Sequence, residues 1–222
     1  MGTARGAVVL ATQLHSPDGR RRNDEEAARL LRAAALALGA RAPWAVAGAS
    51  SLSPASSLLL PLTSPETLLD AMLALASSLR AHRPTFCGVI AEPAAGGDAG
   101  LLAQAAAADR AVAGLASTDP RGPRALLLAP EEDASLGALV DLILTAHDAM
   151  TTRQRQVVAL VRESRSQQAV AKHLGVSRQA VNQSLAAAAW PILSHAEGVA
   201  RERLAGSAAV ASGARRTRAV EA

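Results

Sequence analysis

At 222 residues, half of them hydrophobic but only Trp44, Phe86 and Trp190 aromatic, the chain has material for one large core or two modest ones, packed by Leu, Val and Ala. Its single cysteine, Cys87 in FCGVIA, excludes an internal disulfide and a cysteine metal set and reads as a buried thiol. The formal charge of +4 is unevenly spread: residues 1–150 hold 12 Arg against 15 acidic residues, while 151–222 hold 10 Arg and Lys172 against 4, as in a neutral or acidic body joined to a nucleic-acid-binding end.

After MGTARG the first apolar run, Gly6 to Leu14, is read as a strand, followed by a loop through HSPDGRRRN. That run is too short for a bilayer span or a signal peptide, so a cytoplasmic, nucleoid-associated protein without membrane contact is expected. Asp24 caps a helix whose apolar positions Ala27, Leu30, Leu31, Ala34 and Leu38 recur at helical spacing, with Gly39 at its end. Trp44–Ala49 and Ser57–Leu62 read as two strands of a hairpin joined by SSLSPAS. Ser64 and Pro65 mark a helix start, and Leu68, Leu69, Met72, Leu75 and Leu79 form one apolar face behind it.

TFCGVIA is a β-rich run followed by the Gly-containing loop AAGGDAG and an Ala-rich helix from Ala99 to Ala116. ALLLAP, Ala125 to Pro130, is a further strand, and Leu136, Leu139, Val140, Ile143 and Leu144 mark the helix after it. Strands alternating with helices predict an α/β (α+β) sandwich over residues 1–148, followed by an all-α domain over 149–205 and a disordered basic tail over 206–222.

The C-terminal third carries the most specific pattern. Thr151 or Thr152 caps a helix through RQRQVVALVRES, with Val157, Val158, Leu160 and Val161 turned inward and Arg153, Arg155 and Arg162 outside. Ser166 caps the short helix QQAVAKHL, Gly175 supplies a left-handed turn, Val176 fills the corner, and Ser177 caps RQAVNQSLAAAAW. Two helices joined by a three-residue turn containing Gly describe a helix-turn-helix. With Val181, Leu185 and Ala188 inward, the second helix presents Arg178, Gln179, Asn182 and Gln183, whose side chains suit guanine and adenine edges in the major groove of double-stranded DNA. Arg153, Arg165, Ser166, Gln167, Lys172 and Ser177 are the candidates for phosphate contact, with Arg155 as added backbone charge.

No Asp or Glu occurs from Ser164 to His195, which favours a polyanion over an ordinary solvated face. Pro191 opens a further helix through Ile192, Leu193, Ala196, Val199, Ala200 and Leu204, suited to packing on the preceding helices or on a second subunit. In the tail, Arg215, Arg216 and Arg218 read as solvated charge, with DNA backbone contact as the alternative.

The segment TTRQRQVVALVRE followed by SQQAVAKHLGVSRQAVNQSL resembles the pattern of bacterial transcription regulators and of the promoter-reading domain of sigma factors. That resemblance implies sequence-selective binding to duplex DNA. The whole order, with AVVLATQLHS, FCGVIAEPAAGGD, AAAADRAV and LAAAAWPIL, also resembles the SatD-like family, which implies an α/β domain joined to a C-terminal helix-turn-helix. The N-terminal part is similar in order to a degenerate nucleotide-cyclase or ferredoxin-like fold.

Catalysis by a cyclase route needs carboxylates at the end of the first strand to hold Mg²⁺, and that strand ends Thr12, Gln13, Leu14, His15, with Asp18 and Asp24 beyond it. The five His are scattered, with no HExxH or CxxC, and AAGGDAG matches neither nucleotide-binding Gly-rich motif. No catalytic residue, cofactor or metal is therefore expected. The expectation is a DNA-binding regulator, working as a homodimer, whose N-terminal domain pairs subunits or senses a signal; the alternative is a nucleotide- or metabolite-binding sensor or enzyme domain localised to DNA by the helix-turn-helix.

Overall fold

The computed structural model describes residues 7–14, 24–53, 57–82, 84–91, 98–117, 124–128, 134–164 and 166–218. The element order is β1 (Ala7–Gln13), α1 (Asp24–Arg41), β2 (Ser51–Leu52), β3 (Leu58–Leu62), α2 (Thr67–Ser78), a 3₁₀ turn (Arg80–His82), β4 (Thr85–Ala91), α3 (Asp98–Ser117), β5 (Ala125–Leu128) and α4 (Ala134–Ala149). Four helices follow: α5 (Thr152–Ser164), α6 (Gln167–Leu174), α7 (Arg178–Ala187) and α8 (Trp190–Arg218). An N-terminal mixed α/β sheet thus precedes a C-terminal helical region, as the strand–helix alternation predicted.

The sheet order is β2-β3-β1-β4-β5. β1 lies at its centre, antiparallel to both β3 (Leu10 opposite Leu60) and β4 (Leu10 opposite Gly88), and β5 runs parallel to β4 (Gly88 opposite Leu127). β1 and β2 therefore run the same way with β3 between them, and β3 and β4 do so with β1 between them, which interlocks two split β-α-β units. The central strands are apolar on both faces because both are covered.

Alternation along β1 divides the core. Val8 and Leu10 face one side, with Leu58, Leu60, Phe86 and Ile90, under α1, α2 and α4. Val9 and Ala11 face the other, with Cys87 and Val89, under Ala108 and Val112 of α3. Cys87 is buried as expected, and burial pushes its thiol up to about 12. On the first side the Leu68 side chain of α2 reaches down onto Gly88, where a Cβ would stand 2.5 Å from Leu68 Cδ2 and 3.0 Å from Leu127 Cδ2.

Three local expectations change. The segment 44–49 forms no strand of a hairpin; it touches β3 at a single bridge, Val46 to Leu62, flanked by Ala47 N–H to Pro61 O (2.9 Å), and the chain breaks at Gly48–Ser50 before β2 pairs with the other end of β3. α2 begins at Thr67, since Ser64 and Pro65 form an i→i+3 turn, with Thr67 N–H and its hydroxyl both donating to Ser64 O. α8 continues past Leu204 and Gly206 to Arg218, where a disordered tail was expected; Ala and Arg, strong helix formers, outnumber Gly206 and Gly213 there.

The two regions share one hydrophobic core. Val157, Val158, Val170, Val181, Leu185, Leu193 and Leu204 belong to the same continuous cluster as Leu10, Leu31, Leu68 and Phe86. α4 joins them, packing on α2 and β5 on one side and on α8 on the other, and α8 also reaches α2, α7 and β4. Of the two placements open to the last helix, the structure has it within the same chain. No helix among the described residues is long and apolar enough to cross a membrane.

Candidate nucleic-acid interface

Each helix of the motif starts on a side chain that satisfies an orphan N–H. Thr151 and Gln154 cap α5 reciprocally, Thr151 N–H donating to Gln154 Oε1 (2.7 Å) and Gln154 N–H to Thr151 Oγ1 (3.2 Å). Ser166 Oγ accepts from Ala169 N–H (3.3 Å) at α6, and Ser177 Oγ from Ala180 N–H (3.1 Å) at α7, both serines in extended backbone geometry. α6 ends on Gly175 at φ +64°, with Val176 N–H bonded to Ala171 O (3.0 Å) and Gly175 N–H to Lys172 O (3.4 Å), the double closure of a Schellman turn. Val176 then packs against the core, as its corner position predicted.

Val170 and Ala171 of α6 and Val181 and Leu185 of α7 are buried, which fixes the rotation of both helices. Arg178, Gln179, Asn182 and Gln183 consequently form one exposed stripe on α7, at i, i+1, i+4 and i+5. The described phosphate candidates fall on α5, on α6 and at the two serine caps. Ser166, Lys172 and Ser177 are exposed and Gln167 is half-buried; each capping hydroxyl accepts from the helix and keeps its own proton to donate. Arg153 is exposed, its Nη1 donating to Gln156 Oε1 (3.2 Å). Arg165 lies outside the described residues.

Residues 141–189 match the family model of Sigma-70, region 4. This is a helix-turn-helix DNA-binding module, so the motif read from local spacing is supported as such. No curated protein and no solved structure matches the chain. The match to region 4 begins inside α4, the helix that also caps the sheet, so the module has no linker ahead of it.

Two arginines expected on the solvent face of α5 make contacts that their spacing did not show: half-buried Arg155 bonds locally, and Arg162, which stays exposed, ties α5 to α8. Arg155 turns back to the end of α4, donating to Met150 O and to Thr152 Oγ1 (3.2 Å). Arg162 reaches Glu197 of α8 and lies 4.9 Å above the Trp190 ring. Glu197, 2% exposed, is the hub: His147 Nε2 lies 2.7 Å from Oε1, Arg201 Nη2 lies 3.3 Å from Oε2, and Arg201 also grips Asp70 of α2 through both carboxylate oxygens (2.7 and 3.4 Å). Burial alone raises the Glu197 pKa, but the His147 hydrogen bond and the charges of Arg162, His147 and Arg201 outweigh it and hold the group below the usual carboxylate value.

Spacing analysis of the chain missed this hub. A signal was there: Leu193, Glu197, Ala200 and Leu204 fall at i, i+4, i+7 and i+11, which puts the carboxylate on the buried face of α8 with Arg201 one turn on.

Proposed function

We propose that this protein is a sequence-specific regulator of transcription that binds double-stranded DNA through α7, as a homodimer in the cytoplasm, at the nucleoid. The observation that carries the reading is the exposed stripe of Arg178, Gln179, Asn182 and Gln183 on a capped helix whose other side is locked into the core, within a stretch free of acidic residues from Ser164 to His195. Arg178 would pair with guanine O6 and N7, and Gln179, Asn182 and Gln183 with adenine N6 and N7. Arg153, Arg165, Ser166, Gln167, Lys172 and Ser177 would hold phosphates, two of them at helix N-termini where free N–H groups and the helix dipole favour an anion.

The homodimer rests on the way helix-turn-helix proteins commonly read paired half-sites. A good bidentate base contact discriminates by about 1–3 kcal/mol, whereas specific complexes exceed non-specific ones by roughly 4–10 kcal/mol. Four such contacts can together reach roughly 4–12 kcal/mol, so one copy can already be specific; a second recognition helix, on a half-site one helical turn away, would lengthen the sequence that is read. On this reading the N-terminal sheet, SatD-like and ferredoxin-like in order, is a pairing or sensing domain without chemistry of its own.

A mobility-shift assay of the full chain on genomic fragments, followed by mapping of the bound sites, tests the proposal. Salt-sensitive binding to two-fold symmetric sites is expected. Binding without sequence preference refutes the regulator, and sites lacking two-fold symmetry refute the homodimer.

A further inference from the structure

Between α2 and the junction of α4 with α5 lies a half-open cavity of about 530 Å³, within the size range of small-molecule sites. Its apolar wall comes from Trp44, Leu73, Ala74, Val158 and Ala159. A smaller niche of about 80 Å³, sharing Arg41, Asp70 and Ala74 with it, extends the apolar side between α1 and α2.

The polar side of the cavity has an unusual charge arrangement. Arg80 donates to Asp148 O (2.5 Å) and Met150 O (3.3 Å), and Arg155 donates to the same Met150 carbonyl, so two guanidinium groups converge on one neutral acceptor. Of the carboxylates lining the cavity, Asp70 is engaged by Arg201 and Asp148 by Arg124, leaving Glu163 on the exposed face of α5. Arg41 adds a third positive charge to the wall. Burial lowers the Arg155 pKa most and the charge of Arg80 lowers it further, so the two guanidinium groups repel across their shared acceptor. An oxyanion between them would remove that repulsion while accepting planar, paired hydrogen bonds.

We propose that this cavity binds a small ligand with an apolar or aromatic body and one oxyanionic head, carboxylate or phosphate, held by Arg80 and Arg155, and that its occupancy adjusts DNA binding. The coupling has a physical route. α5 is at once the cavity wall, through Arg155, Val158, Ala159 and Arg162, and the support helix that packs on α6 and α7. A head group that draws Arg155 away from Met150 O loosens the joint between α4 and α5, the one place where the helix-turn-helix follows directly from the sheet domain. Only this second half rests on the DNA-binding reading.

Calorimetric titration of the full chain with phenyl phosphate, benzoate and inorganic phosphate tests the site. Saturable binding of phenyl phosphate or benzoate is expected, the tighter arm identifying the head group, with inorganic phosphate weaker because it lacks the body. The double variant R80Q/R155Q should weaken binding by roughly tenfold or more. Ala159→Phe, which fills the cavity and keeps every charge, should do the same. No saturable binding of either aromatic anion, or unchanged binding in Ala159→Phe, overturns the site.

The affinity of a bound DNA fragment, measured with and without saturating aromatic anion, should change by roughly fivefold or more. Unchanged affinity overturns the coupling alone. Anion binding by a chain that binds no DNA refutes the DNA reading and leaves the site standing.

Discussion

Replacing Glu197 by Gln isolates the electrostatic joint between the helical region and the sheet domain, because the side chain keeps its shape and loses its charge. The carboxylate receives His147 and Arg162 on one oxygen and Arg201 on the other. A Gln amide offers one acceptor oxygen, so its NH₂ group must face either the His147–Arg162 pair or Arg201. Hydrogen bonds to charged groups contribute about 1.5–3 kcal/mol each, and the side chains of Arg162 and Arg201 are 34% and 33% exposed, so solvent recovers part of the loss. The expected destabilisation is about 2–3 kcal/mol, or roughly 5–10 °C in Tm for a chain of this length. Because the Glu197 pKa is held below its unfolded value, the stabilisation is complete above the unfolded carboxylate range and disappears as pH falls through the folded pKa. Scanning calorimetry should therefore find a gap between wild type and Glu197→Gln that persists from about pH 8 to 5, does not shrink over that range because positive charge on His147 adds to the attraction, and narrows only below about pH 4. A gap under about 2 °C at pH 7, or one that closes between pH 7 and 5, refutes the assignment of Glu197 as an ionised hub.

Four further outcomes follow from particular residues. Gly88→Ala should cost about 1–3 kcal/mol in thermal or denaturant unfolding, since its Cβ would meet Leu68 Cδ2 at 2.5 Å and force the packed Leu68 and Leu127 side chains to shift. Gly175→Ala meets no atom within 4 Å, so its cost is the left-handed backbone alone, about 1–2 kcal/mol in the same measurement. Arg178→Ala or Asn182→Ala should each lose about 1–3 kcal/mol of DNA affinity and relax preference at one base position, while Lys172→Ala weakens all sequences alike and lowers the salt slope by about 1. Cys87, buried with its thiol pushed up to about 12, should resist a thiol reagent at pH 8 in the native protein and react promptly once unfolded.

The parts legible in the sequence are those whose causes are local. From Ser166 to Leu185 the caps, the left-handed Gly175 and the inward positions Val170, Ala171, Val181 and Leu185 all act within one or two turns, and the structure places each where the spacing put it. β1, β3, β4 and β5 were legible as apolar runs, but β2 fell in the stretch read as a turn, and the strand order was not legible. Nothing local tells Leu10 that Leu60 and Gly88 will flank it, or that 44–49 will meet β3 at one bridge only. Arg162 is exposed, as its place on the helix implied, but its tie to α8 was not legible, for the same reason. Long charged side chains on a helix flank are read as exposed by default, and the partner that holds this one, Glu197, lies 35 residues away.

That partnership alters how the two halves of the chain are to be understood. An unequal charge split and a change from mixed α/β to all-helical structure suggest two bodies on a linker, for which relative motion is the ordinary expectation. Here α4 serves both: its residues Leu136 and Val140 lie in the core beneath the sheet, while His147 at its end faces Glu197 of α8. The Asp70–Arg201–Glu197–Arg162 chain runs from α2 to α5, the support helix of the helix-turn-helix, with Glu197 buried at its centre and the other three side chains about a third exposed. A change in the sheet domain cannot then be taken up by a flexible joint. It must either be resisted by this ion network or move α5, and with α5 the helix α7 that packs against it.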